Sequence, residues 1–103
     1  MKRPAIKLHP DAVEEAAEAR RWYSEIRVEL GEAFAAELDR AVDRIVTAPS
    51  RWPVHVHGTR CVLLDRFAYL VVYRQVKGRI QIVAIQHVKR RPGYWKDRIS
   101  DGG

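Results

Sequence analysis

Two helices segregated to one face of an antiparallel meander, an α+β arrangement, is the fold class that this sequence predicts. Three observations carry it. Two stretches between residues 10 and 48 place apolar residues at helical spacing. Three β-rich runs follow, the last two joined by Lys77-Gly78. A short apolar patch at residues 6–8 precedes the helices and reads as an edge strand.

The first helix opens at His9-Pro10-Asp11. Either His9 caps it with Pro10 at the first helical position, or Asp11 caps it and Glu14 closes a capping box. Val13, Ala16, Tyr23, Ile26 and Leu30 form one apolar stripe, and Glu14, Glu15, Glu18, Arg21 and Glu25 a charged face. Gly31 marks the break. In the second helix Phe34, Leu38, Ala41, Val42 and Ile45 share a face, and Pro49 ends it. So short a join implies a helical hairpin over a common core. Residues 49–59 read as a loop. Residues 60–64, 68–76 and 79–88 read as strands, and Lys77-Gly78 as the tight turn of an antiparallel hairpin. That turn sets Arg74 opposite or nearly opposite Gln81, and His87 near Ala68 or Tyr69. A basic tail, residues 89–96, comes last.

At 103 residues the chain is expected to be a single domain, 1–103, with residues 1–4 and 99–103 disordered. No apolar run reaches the ~20 residues of a membrane span. The first ten residues lack the apolar core of a secretory signal. Cys61 is the only cysteine, so no internal disulfide or cysteine-rich metal site can form. A cytoplasmic protein without metal or other cofactor is the expectation. The net charge of +6 is divided unevenly. Residues 1–50 hold 8 Lys/Arg and 10 Asp/Glu, whereas residues 51–103 hold 11 and 3. Such segregation points to a polyanionic partner, either a nucleic acid or an acidic protein segment.

Within the basic half, Arg74 interrupts the most apolar strand. A guanidinium there is either paired or snorkelling, or it serves as an anion site for phosphate or carboxylate. His87 closes the third run, as a surface residue or as a proton-transfer group. Lys89, Arg90 and Arg91 stand with Tyr94 and Trp95, a mixture that suits phosphates and unpaired bases, or else packs the tail onto the domain. His55 and His57 have no cysteine or carboxylate nearby and make a weak zinc site.

The stretches LHPDAVEEAAEARRWY, LLDRFAYLVVYR and IVAIQHVKRRPGYWKDR resemble the RelE/ParE superfamily of type II toxin–antitoxin toxins over about residues 5–98. The resemblance implies a toxin silenced by a cognate antitoxin, in a toxin–antitoxin hetero-oligomer. It implies one of two targets, mRNA on the ribosome or DNA gyrase. Metal-independent, ribosome-associated mRNA cleavage is the leading expectation. A non-nuclease gyrase poison is the alternative, and a non-toxic antitoxin-binding module the third. By the same resemblance Arg74, His87 and Tyr94 would be catalytic, while Arg60, Lys89, Arg90 and Arg91 would bind phosphate or target. Two departures stand out: no lysine occurs between Lys7 and Lys77, and no glutamate follows Glu37. Arginine cannot act as the base in their place, because its pKa is so high that it stays protonated.

Overall fold

The computed structural model describes residues 4–99. The elements run in the order expected: β1 (Ala5–Leu8), α1 (Pro10–Ile26), α2 (Val28–Thr47), β2 (Arg60–Leu63), β3 (Tyr69–Val76) and β4 (Arg79–His87). They form an α+β fold in which one four-stranded sheet, ordered β1-β4-β3-β2, carries both helices on one face. The meander β2-β3-β4 is antiparallel, and β1 joins its β4 edge in parallel. No helix among the described residues is long and apolar enough to cross a membrane. The expected disorder at the chain ends falls on residues 1–3 and 100–103, which lie outside the described residues. Ile99 is described, and packs beside the cluster around Trp95.

Local chemistry explains the element ends. His9 is the cap of α1: the Asp11 N–H donates to His9 Nδ1 at 3.0 Å, and Pro10 takes the first helical position. In the β3–β4 turn Lys77 has φ 50° and Gly78 φ 78°, the paired left-handed geometry that matches strand twist in a two-residue hairpin. Arg74 pairs with Gln81 and His87 with Tyr69.

Two expectations about the helices need correction. The break falls at Arg27, whose extended backbone ends α1 and starts α2, and not at Gly31. Gly31 lies inside α2 because the helices approach closely there: a Cβ at this position would sit 1.8 Å from Ser24 Oγ and 2.9 Å from Ser24 Cβ. The apolar stripe of α1 is also rotated. Val13 and Ile26 are 50% and 58% exposed, while Ala12 and Ala19 are buried and Ala16 and Tyr23 half-buried. Residues 12, 16, 19 and 23 fall on one helical face, and three alanines on it let α1 lie close to β4. The α2 stripe is as expected, with Phe34, Ala41 and Ile45 buried.

One irregularity decides the sheet's faces. Val72 pairs with Ala84 but Tyr73 with Ile82, so Val83 is the extra residue of a β-bulge in β4. Strict alternation would send Ile85 away from Ile82. With the bulge, Ile80, Ile82 and Ile85 all join Phe34, Ile45, Val71 and Tyr73 in the core beneath the helices. Val83 and Ala84 turn to the other face together with Val72, and Trp95 covers them, itself fully buried.

Gly31→Ala tests the helix contact. Alanine improves helix propensity by up to about 1 kcal/mol, but overpacking costs about 1–3 kcal/mol, so a net loss of about 1–2 kcal/mol is expected in urea unfolding. Adding Ser24→Ala removes the nearer of the two clashing atoms and should restore part of that loss. An unchanged unfolding midpoint for Gly31→Ala alone would refute the close approach.

Candidate functional site

Two clusters of cations stand out in the fold. One surrounds the carboxylate of Glu15 at the α1–β4 joint. The other lies at the β3–β4 turn.

Glu15 sits on the edge of α1's buried face, three residues after Ala12 and four before Ala19, and its side chain is 14% exposed. Oε1 accepts from the Ile85 N–H at 3.0 Å and from Arg98 Nη1 at 2.9 Å. Oε2 accepts from Arg98 Nη2 at 2.9 Å and from the Tyr94 hydroxyl at 2.6 Å. Arg90 Nη1 stands 3.6 Å away, and the Arg90 guanidinium lies 3.6 Å above the Tyr94 ring. Burial pushes the Glu15 pKa up, but the hydrogen bonds from Arg98, Tyr94 and Ile85 and the Arg98 charge outweigh it, so the group ends below its ordinary 4.5. Burial, and then the bond to Glu15, drives the Tyr94 phenol well above its usual range. Arg98 also donates to the Val83 carbonyl at 3.0 Å and lies 3.5 Å from Asp11. It therefore ties the tail to the helix and to the bulge.

Other tail contacts complete the docking. Trp95 Nε1 donates to Gln86 Oε1 at 2.9 Å, and Gln86 Nε2 donates to the Arg90 carbonyl at 3.1 Å. Lys89 and Arg91 are exposed. His87 stands edge-on to Tyr69 at 5.1 Å, and its Nδ1 accepts from the Lys89 N–H at 3.1 Å. It lines a cavity of about 220 Å³ with Glu15, Glu18, Trp22 and Arg90.

Arg74 belongs to the second cluster. Tyr69, Val71 and Tyr73 face the helices, whereas Arg74 shares the opposite face with Val72. Its Nε donates to Gln81 Oε1 at 2.7 Å. Lys7, Lys77 and Arg79 surround it. Arg60, at the start of β2, donates from Nη1 to the Trp52 carbonyl at 2.6 Å, which holds the 49–59 loop against the sheet. The Tyr73 hydroxyl donates to the Pro49 carbonyl nearby.

The structure thus gathers Arg90, Tyr94 and His87 around Glu15. Arg74 stands apart from them toward the other end of the β3–β4 ladder, and on the opposite face from His87. Sequence reasoning missed Glu15 and Arg98, which are 83 residues apart. The available signal was helical phase: Glu15 shares a face with Ala12 and Ala19. Glu37 was missed for the same reason. It falls between Phe34 and Ala41 on α2's buried face, and it accepts from the Arg66 N–H at 2.8 Å and from Arg66 Nε at 3.3 Å. Among the described residues no three His, Cys, Asp or Glu side chains come together as a metal site.

Comparison with known proteins adds to this geometry. The family model described as the ParE toxin of type II toxin–antitoxin system, parDE, matches residues 6–92. No curated protein matches the chain. A solved structure entitled "Chromosomal ParDE TA system from P. aeruginosa" is similar with a TM-score of 0.74 and 18% identity, covering 84% of this chain and 97% of that one. At that identity the likeness is one of fold.

The Glu15 hub should be readable in acid. A carboxylate whose folded pKa lies below its unfolded value stabilises the fold fully above the unfolded value, and loses that contribution as pH falls through the folded pKa. Both Glu15 and Glu37 are lowered from 4.5, so stability should decline below about pH 4.5. Glu15→Gln should cost about 2–3 kcal/mol at pH 7 and flatten that decline. A variant with wild-type stability and an unaltered acid profile would show that the hub is dispensable.

Proposed function

Because the chain belongs to the ParE toxin family of type II toxin–antitoxin systems, we propose that it arrests growth by poisoning DNA gyrase and that a cognate antitoxin silences it in the cytoplasm. The observation that supports a poison over a nuclease is the dispersal of the groups an RNA-cleaving centre needs. Such a centre needs a base for the 2′-hydroxyl, cations at the phosphate and an acid at the leaving oxygen, all within reach of one bond. Arg74 lies at the other end of the β3–β4 ladder from His87 and on the other face. The Tyr94 proton is committed to Glu15. Glu15 itself, held ionised by Arg98, is too weak a base for neutral pH. Inhibition by binding asks for none of this.

The proposed seat of the antitoxin is a groove between β1 and the helices. Ile6 and Leu8 of β1, Ala16 of α1, and Leu38, Val42 and Val46 of α2 line an apolar groove of about 480 Å³. This suits the apolar face of an amphipathic antitoxin helix, with acidic flanks reaching the cations beyond.

Expression of the protein from a tightly controlled promoter tests the reading. The expected result is growth arrest with DNA breaks and an SOS response while bulk mRNA stays intact, together with inhibition of supercoiling by purified gyrase. Cleaved mRNA with untouched DNA would overturn the gyrase assignment in favour of ribosome-dependent cleavage. Normal growth at high levels of folded protein would reduce the chain to an antitoxin-binding module. Arg74→Ala is expected to weaken toxicity at least about tenfold, as loss of a charged contact of about 1.5–3 kcal/mol implies, with antitoxin binding retained.

A further inference from the structure

The cations at the hairpin end come from three strands and a turn. Lys7 on β1, Gln81 on β4 and Arg74 on β3 are register partners in one row across the sheet. Row partners leave the same face, and strands two apart set Lys7 and Arg74 about 10 Å from each other. Arg79 follows on that face two residues from Gln81, and Lys77 stands in the turn beside it. With Val76 and Ile80 these residues line an open concavity of about 450 Å³, and among the described residues no carboxylate lines it. Lys7, Lys77 and Arg79 are exposed.

We infer that this concavity takes the sugar–phosphate backbone of a nucleic acid. Several cations on an open surface, spread over more than one strand, match a chain of phosphates better than one small anion. Among the described residues no aromatic side chain lines the concavity, so bases find no stacking platform there and the contact reads backbone, not sequence. An acidic protein helix is the poorer fit because it docks through apolar anchors. Those anchors have their groove on the opposite side of β1, where Ile6 and Leu8 alternate with Lys7. The two surfaces can therefore act independently. The identification of the backbone as DNA, held by gyrase, rests on the proposed function; the phosphate contact itself does not.

The test measures binding of the full-length chain, freed of antitoxin, to a fluorescent 20-base-pair DNA duplex and to a single-stranded RNA of equal length, from 50 to 200 mM salt. A triple variant, Lys7→Glu, Lys77→Glu and Arg79→Glu, is compared with Arg20→Glu, Arg21→Glu and Arg27→Glu. The latter makes the same change in net charge on the helical hairpin. Circular dichroism confirms that both are folded. The hairpin-end variant should lose at least about tenfold in affinity and lower the salt slope by about 2–3, while the helical variant keeps the wild-type slope. Equal losses in the two variants, or an unchanged slope, would overturn the inference. So would a hairpin-end variant that loses an acidic antitoxin peptide yet keeps the duplex, since the face would then be a protein interface. Two results separate this inference from the gyrase reading. RNA binding that needs these residues, without duplex binding, keeps the backbone site and removes gyrase. Duplex binding by a chain that leaves purified gyrase active does the same.

Discussion

Glu15 is a carboxylate withdrawn from water on a helix otherwise lined with alanine, and it can remain charged there only if enough donors meet it. A buried carboxylate left alone costs several kcal/mol. Here four hydrogen bonds converge on it, from Arg98 twice, from Tyr94 and from the Ile85 backbone, with Arg90 at its edge. Three of those partners, Arg90, Tyr94 and Arg98, lie in the segment that follows β4. Satisfying one helical side chain therefore docks the last segment of the chain, which sets Trp95 over the outer face of the sheet.

The outer face is consequently divided. Its half near the bulge is dry: Val72, Val83 and Ala84 lie beneath Trp95, whose indole N–H is held by Gln86. A tryptophan in such a place is worth about 3–5 kcal/mol against alanine. Over the other half, toward the Lys77-Gly78 turn, none of the described residues forms such a cover, and the row of Lys7, Gln81 and Arg74 faces outward there. The bulge at Val83 makes the division possible, because it turns two consecutive apolar residues outward and returns Ile85 to the helices.

Charge follows the same division. The tail looks the more basic in the linear sequence, yet Arg90 and Arg98 face Glu15, and Arg98 faces Asp11 as well. The hairpin end instead gathers Lys7, Lys77 and Arg79 with Arg74 on one open surface, drawn from segments that no local motif would group. A toxin that acts by binding a DNA-bearing target needs such a surface and needs no proton-transfer pair. This agrees with the wide separation of Arg74 from His87 and Tyr94.

Much of this was legible along the chain. Helical spacing, the cap at His9-Pro10, Pro49 and the Lys77-Gly78 turn set the elements, their order and the facing of Arg74 by Gln81, because each depends on residues close in sequence. The same local rules misplaced the helix break. Gly31 looks like a terminator in sequence, and only the packing of Ser24 against it reveals a glycine needed for close approach. The phase of α1 was misread in the same way, since large apolar residues draw attention while alanines form the contact. Sequence by itself determined the fold class, the family resemblance and the excess of positive charge. Tertiary structure alone decided which cations gather around a buried carboxylate and which share the hairpin-end surface, because that depends on Glu15 meeting Arg98 across 83 residues and on one bulge that reassigns the faces of β4.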